Sequence, residues 1–282
     1  MPNTKEIRIR IKAIGSTAKI TKAMEMVAAS KMKKSQDAAL KNRSYATASY
    51  EVLCNLMQDE KIKHPLLSAN KNQEKKLLVV VSSDKGLCGA YNTAVIRKVL
   101  EYLKENPDTD LIAIGKKGQK LLTALNKNII GSYTDFPIFA MERDVTPIVS
   151  RIREDYQLAK YQKVSVCFTE FQSTLKQTPK LQQLMPFQPD EGEICQTDRI
   201  NFKFEPTAKE VVNYVVPRII ETQFYQMVLE AIASEQSARM MAMKNATDSA
   251  EDLIEDLELT YNGLRQDSIT QELAEISAAV NN

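Results

Sequence analysis

Apolar positions at the two ends of the chain keep a helical rhythm, and those in the middle do not. Ile7, Ile11, Ile14 and Ala18 follow a 4-3-4 spacing. Ile20, Met24 and Val27 repeat it after a phase shift, and Tyr45, Val52 and Leu56 extend an apolar side. The spacing predicts a helix over about residues 3–57 with one buried seam. After Pro2 the next proline is Pro65, and Gly15 is the only glycine before Gly86, so little interrupts it. At the other end Leu253, Leu257, Tyr261 and Leu264 run 4-4-3, and Ile269, Leu273, Ile276 and Val280 run 4-3-4 after a stutter of five. From Arg218 to Asn282 there is no proline and one glycine, Gly263. Pro206 suits a first helical turn with Glu205 just before it, and Pro217 predicts a kink or an offset start. At 1.5 Å per residue these helices would span about 80 and about 97 Å, far longer than the helices of a globular domain.

The middle of the chain has the periods of strands. LLVVVSS (77–83) is a continuous apolar run, which predicts a buried parallel strand. The turn DKGLCGAYN (84–92) leads into a helix at 93–105. LIAIG (111–115) predicts a second strand, KKGQKLLTAL (116–125) a second helix and NIIGSY (128–133) a third strand. Residues 145–160 predict a helix, KVSVCFTEF (163–171) a fourth strand and 179–187 a last extended segment. This alternation predicts an open α/β sheet with helices on its faces. The domain expectation is therefore 1–60 as an N-terminal helix, 75–200 as the α/β unit and 206–282 as a C-terminal helix.

Charge changes the picture by giving the helices a partner. Residues 5–43 carry 11 basic and three acidic side chains, and residues 244–282 carry two basic and nine acidic ones. Opposite charge favours an antiparallel coiled coil of the two helices over self-pairing of either. Each exposed pair is worth only about 0–1 kcal/mol, so the seam would hold the pair and the charges would choose it.

Composition then removes whole classes of chemistry. Eight glycines argue against a β-sandwich or barrel, and 43% hydrophobic residues argue against disorder. A single histidine, His64, leaves no basis for histidine metal sites or a Ser-His-Asp triad. Cys54, Cys88, Cys167 and Cys195 lie far apart, which predicts reduced thiols rather than a zinc site or a disulfide framework. No run of 18 apolar residues exists, so no membrane span is expected. Gly86 and Gly89 follow a strand and precede a helix, but G-x-x-G is neither the dinucleotide fingerprint nor a phosphate loop. GKKG (115–118) fails the same test, and both favour tight turns. The basic stretch 19–34 contains no aromatic residue and sits in no nucleic-acid-binding motif, so a protein partner or the acidic helix accounts for it as well. No carboxylate pair, Cys/His pair or metal spacing stands out. The residues predict a machine part or adaptor without cofactor, rather than an enzyme.

Four segments then carry a resemblance. KITKAMEMVAASKMKKSQ (19–36), SSDKGLCGAYN (82–92), SEQSARMMAMKNATDSAEDLI (234–254) and YNGLRQDSITQELAEI (261–276), with KHPLL (63–67), resemble the γ subunits of bacterial F-type ATP synthases. The resemblance runs over essentially the whole chain. It implies an α/β chain in which a long antiparallel coiled coil of the terminal helices joins a Rossmann-like middle domain. It implies a non-catalytic central rotor shaft that couples ion flow through a membrane c-ring to ATP synthesis, with nucleotides bound elsewhere. The implied partners are the α and β subunits as an α3β3 hexamer, the ε subunit and the c-ring, without nucleic acid and without membrane insertion. The implied location is the cytoplasmic face of a bacterial membrane. By position, Met24, Lys31, Lys33, Glu235, Arg239, Arg265, Gln266 and Thr270 match residues that meet the catalytic hexamer. Phe202, Phe204 and Glu205, in FKFEP, match the foot beside the c-ring. A coiled-coil adaptor of another kind and an α/β nucleotide enzyme with helical arms are the competing readings.

Overall fold

The computed structural model describes residues 4–57, 64–70, 73–187, 204–205 and 207–280. Two helices dominate: α1 (Thr4–Met57) and, named in chain order below, α5 (Ala208–Val280). Between them lie β1 (Lys76–Val81), α2 (Tyr91–Glu105), β2 (Thr109–Ile114), α3 (Lys116–Ala124), β3 (Ile129–Tyr133), α4 (Glu142–Gln157), β4 (Lys163–Phe171) and β5 (Gln177–Met185). The chain divides into two compact units, residues 1–28 with 239–282 and residues 29–238.

In the larger unit the sheet order is β3-β2-β1-β4-β5. The first four strands are parallel, because a helix carries the chain back between each of them. β5 is antiparallel to β4, because the five residues between them are too few for a crossover. It is also the edge strand, which is where Pro179 costs no ladder bond. Leu78, Val80, Leu111 and Cys167 pack with Val95, Ile96 and Val99 of α2 and with Leu122 of α3 in one cluster. Leu77, Val79, Val81, Ile112, Ile114, Val164, Val166 and Phe168 join a larger cluster with α4, α1 and α5. Alternation along each strand thus gives every face its own helices.

Polar groups tie α5 of this unit to the sheet and its loops. Tyr91 Oη donates to Ala231 O at 3.2 Å, Ser234 Oγ to Thr169 O at 3.1 Å and Ser237 Oγ to Thr174 O at 2.8 Å. Tyr225 Oη donates to Ala140 O at 3.0 Å, and Arg218 reaches Glu142 at 2.7 Å. On α1, the Lys34 ammonium lies 5.6 Å from the Phe139 ring centre. Pro217 lies inside α5 and does not end it. It sits between buried Val216 and Ile219, whose packing holds the helical path through the missing N–H.

The buried stripe of α1 differs from the one expected. Ile7, Ala18, Ala28, Ser35, Ala39, Ala46, Ser49 and Leu53 are buried, with Ile11, Ile14 and Thr21 half-buried in the same 4-3 sequence. The stripe has no phase shift. Ile20 is 61% exposed and Val27 54%, and Tyr45 is exposed too, so these three do not belong to the seam. On α5 buried Met243, Thr247 and Ala250 lead to half-buried Ile254, Leu257, Tyr261 and Leu264, while Leu253 is 52% exposed. Small residues on the seam let two backbones approach closely, and the larger apolar side chains are left on the outside. In the smaller unit Asp248 and Glu251 of α5 lie close enough to Lys22 of α1 to act on its charge. Lys22 holds its proton more tightly than usual, chiefly because it hydrogen-bonds Glu25, with Asp248 and Glu251 of α5 adding to the effect.

Cys54 is disulfide-bonded, which overturns the expectation of reduced thiols throughout. Separation along the sequence does not measure separation in a fold. Cys88 and Cys167 are free and buried, and Cys195 lies outside the described residues.

His64 gives this fold a pH dependence. It is 5% exposed, and its Nδ1 accepts the Leu66 N–H at 3.2 Å, at the head of a short helical turn over Pro65–Leu67. Burial lowers its pKa, so the folded chain holds it neutral while the unfolded chain takes up a proton near its ordinary value. Stability is then level above about pH 6.5 and falls as the pH drops below it, by at most about 1.4 kcal/mol per pH unit. Thermal melts between pH 7.5 and 5.5 should show this fall. His64→Asn, which keeps an acceptor and does not titrate, should remove it; an unchanged pH dependence in that variant would exclude His64 as the cause.

Candidate functional site

In an open α/β sheet, ligands bind beyond the carboxyl ends of the strands. Here that edge is built from the exit of β1 (Ser82, Ser83, Asp84), the turn into α3 (Gly115 to Gly118) and the segment after β3. The first three backbone N–H groups of α3 are those an anion would use. Each is already taken by the exit of β1. Lys116 N donates to Asp84 Oδ1 at 3.0 Å, Lys117 N to Ser83 O at 2.9 Å and Gly118 N to Ser82 Oγ at 2.9 Å. Asp84 also accepts from Asp135 N at 3.0 Å and from Phe136 N at 2.8 Å, so one carboxylate joins three strand ends. Asp84 stands where a phosphate would stand in a nucleotide-binding protein. The sequence reading missed this residue. The signal was the pairing of SSD after one strand with GKKG after the next, which becomes visible only when the two strands are known to be neighbours.

The turn 84–90 has its own internal network. Gly89 adopts a φ of 54°, and Asn92 Nδ2 donates to Ser83 Oγ at 2.8 Å and to Cys88 Sγ at 3.2 Å. It places Tyr91 against α5 and reads as a tight turn. Neither described free thiol is set up as a nucleophile: Cys88 lies inside this network, and burial pushes Cys167 up to about 12. Among the described residues no group of His, Cys, Asp and Glu could hold a metal ion. At the opposite edge of the sheet Asp110 accepts from Tyr161 Oη at 3.0 Å and from Asn128 Nδ2 at 2.7 Å, and pairs with Lys75 at 2.9 Å. Burial, followed by Asp110, holds the Tyr161 phenol protonated far above its ordinary range.

Asp84 supplies a direct prediction. Asp84→Ala leaves three N–H groups without their acceptor and should cost about 2–4 kcal/mol, given about 1–3 kcal/mol per stranded donor and partial rescue by water. Asp84→Asn keeps an acceptor oxygen and should cost about half as much. Urea unfolding of the purified chain measures both; equal stability of Asp84→Ala and the parent would contradict the role.

The residues matched to partner contacts fall into several settings. In the smaller unit Met24 is half-buried, Met26 is exposed, and Arg265, Gln266 and Thr270 are exposed on α5. Thr270 Oγ1 donates back to Gln266 O at 2.9 Å. Arg239 is largely buried by its own chain. In the larger unit Lys31 and Glu235 are half-buried and Lys33 is exposed. Phe204 is half-buried against the larger core cluster and Glu205 is exposed, while Phe202 lies outside the described residues. In the smaller unit Gly15 faces Ile254 and Thr21 Oγ1 lies 2.8 Å from Thr247 Oγ1, which fixes an antiparallel register. Followed back to Thr4, that register ends near residue 265 of α5, so about the last four turns lie beyond the described residues of α1. Ile269, Leu273 and Ile276 on those turns are exposed.

A family model described as ATP synthase matches residues 3–282. The ATP synthase gamma chain of Herpetosiphon aurantiacus is 38% identical over 99% of this chain and 98% of its own length. The chain belongs to the ATP synthase gamma-chain family. The gamma chain of Legionella pneumophila is 37% identical over 98% of both chains. Among solved structures, a chain of the Tetrahymena thermophila mitochondrial ATP synthase central stalk and c-ring is 25% identical, with a TM-score of 0.62 over 80% of this chain and 99% of that one. A chain of the Euglena gracilis mitochondrial enzyme gives a TM-score of 0.69 at 18% identity, over 99% of this chain and 93% of that one, and so supports the fold. The chain is a subunit of ATP synthase and serves as its central rotor shaft. Among the described residues no helix is long and apolar enough to cross a membrane.

Proposed function

We propose that this chain couples ion flow through a membrane c-ring to ATP synthesis at an α3β3 hexamer by turning within it, and that it performs no chemistry itself. Residues 1–60 and 206–282 form the shaft and 75–200 the foot. The foot contacts ε and the c-ring, with Phe202, Phe204 and Glu205 facing the ring. Met24, Lys31, Lys33, Glu235, Arg239, Arg265, Gln266 and Thr270 meet the hexamer. The assembly is peripheral, on the cytoplasmic face of a bacterial membrane.

The observation that carries this reading is the end of α5. Ile269, Leu273 and Ile276 are exposed on turns that lie beyond the described residues of α1, and exposed apolar side chains in a row call for a sleeve. A rotor in a sleeve biases each catalytic site through contacts that differ with angle. The filled donors at the head of α3 agree with nucleotides being bound by other subunits.

The test is the ATPase activity of the cognate α and β subunits, purified with and without this chain. Assembly at one copy per three αβ pairs with a rise in activity is the expected result. A chain that stays apart and leaves activity unchanged would return the adaptor reading.

A further inference from the structure

Within the larger unit α1 presents small buried residues, Ala39, Ala46 and Ser49, beside α5, whose Ser234 and Ser237 are turned to the sheet and its loops. Small side chains interlock weakly, so this stretch of α1 does little by itself to fix its register. Polar groups interrupt it at one level. Asn42 Nδ2 donates to Gln226 Oε1 at 2.9 Å, Gln226 Nε2 donates to Glu230 Oε1 at 2.8 Å, and Arg43 Nη2 donates to the same oxygen at 3.0 Å. One turn on, Gln223 Nε2 donates to Ala46 O at 2.7 Å. Gln226 and Glu230 are each 8% exposed, and with Arg43, Gln223 and Lys180 they line an open cavity of about 180 Å³.

Only one register satisfies this layer. Sliding α1 by four residues sets Ala38 or Ala46 across from Gln226, and Ala39 or Thr47 in place of Arg43. Sliding it by seven sets Ser35 or Ser49 across from Gln226, and Gln36 or Tyr50 in place of Arg43. In all four cases the largely buried Glu230 carboxylate loses the Arg43 guanidinium that pairs with it, which is costly for a buried charge. A buried polar residue that fixes the register of a helix pair is the best-attested use of such groups. We propose that Asn42, Arg43, Gln226 and Glu230 are positioning residues that lock α1 and α5 in a single register, so that torque on one helix is delivered without slip to the other. The functional half of this inference rests on the shaft reading; the register half does not.

The test uses the assembled complex in sealed vesicles, with spin labels on exposed Leu40→Cys and Tyr214→Cys, and a fourfold variant N42L/R43L/Q226L/E230L. The parent should give one label-to-label distance. The fourfold variant should melt no lower than the parent, yet show a second distance displaced by about 5 Å, one helical turn, and pump at least threefold fewer ions per ATP hydrolysed. R43K, which keeps the cation for a contact made through one nitrogen, should match the parent in both readouts. A single parental distance in the fourfold variant overturns the register lock. Two distances with unchanged pumping overturn its role in torque. Should the fourfold variant fail to assemble, N42A/R43A, which strips partners from α1 alone, is judged by the same two readouts. Failure of the shaft reading would show differently, as absence of ATP-driven pumping by the parent complex while the distance measurement stood.

Discussion

Gly115→Val is expected to be largely unfolded at a urea concentration where the parent is still fully folded. Gly115 has a φ of +96°, a region that β-branched residues avoid. A Cβ there would lie 2.2 Å from Ser82 O, and no real Cβ approaches a backbone atom that closely. Neither side can yield. Ser82 N is held by Ile114 O at 2.8 Å, and Gly115 N by Tyr133 O at 2.9 Å, so moving either unzips the ends of β1, β2 and β3 together. Backbone strain of about 1–3 kcal/mol and overpacking of about 1–3 kcal/mol combine into a loss of about 2–6 kcal/mol, which at its upper end reaches the whole stability of a marginal domain, about 5 kcal/mol. The same displacement would pull Ser82 Oγ from Gly118 N and Asp84 from the head of α3. Urea unfolding followed by circular dichroism gives the answer. Gly263→Ala is the counter-case: nothing lies within 4 Å of that Cβ and the position is helical, so it should gain about 0.5–1 kcal/mol. A Gly115→Val chain with the parental midpoint would mean that the turn can be rebuilt around a side chain.

The sequence was most legible where one principle acted alone. The two long helices followed from the near absence of proline and glycine, β1 from a continuous apolar run, and β2 to β4 from the alternation of short strand-like and helix-like segments. The seam was misread because size was taken as the mark of burial. Ile20 and Val27 are the larger residues, but Thr21, Ala28 and Ser35 are where two backbones come together, and the apolar excess faces outward for something else to cover. An unbroken 4-3 count through the small residues would have found it. The same count marks Asn42 as a polar residue at a seam position, the clue to the register layer. Asp84 was out of reach for a different reason. Its three partners at Lys116, Asp135 and Phe136 come together only through the order of the sheet, which no local pattern encodes. The motif test on the glycines described the turns without showing what fills the space a phosphate would occupy.

Met24→Lys is expected to separate catalysis from coupling: ATP hydrolysis by the complex stays near the parental rate, while ions pumped per ATP fall severalfold. Met24 is half-buried on the flank of the α1 stripe, between half-buried Thr21 and buried Ala28. A lysine there can lay its stem along the helix and carry its ammonium into water, so the fold should change by less than about 0.5 kcal/mol. The effect then lies outside the chain. In the function proposed above Met24 meets the hexamer, and where it passes a carboxylate of β an ammonium at about 4 Å would gain up to about 4 kcal/mol at an effective dielectric of 20. That attraction exists at some angles and not at others, so it must be broken on every turn, and it holds the rotor where the uncharged thioether would let it pass. Salt should weaken it, since the screening length falls from about 10 Å at 0.1 M to about 3 Å at 1 M. The decisive comparison is therefore pumping per ATP at low and high ionic strength for the parent, Met24→Lys and the uncharged polar control Met24→Gln. Recovery of Met24→Lys with salt, and parental behaviour of Met24→Gln at every ionic strength, would assign the defect to the new charge. Equal loss in both variants would assign it to the missing thioether and its packing, and unchanged pumping in Met24→Lys would remove Met24 from the contact altogether.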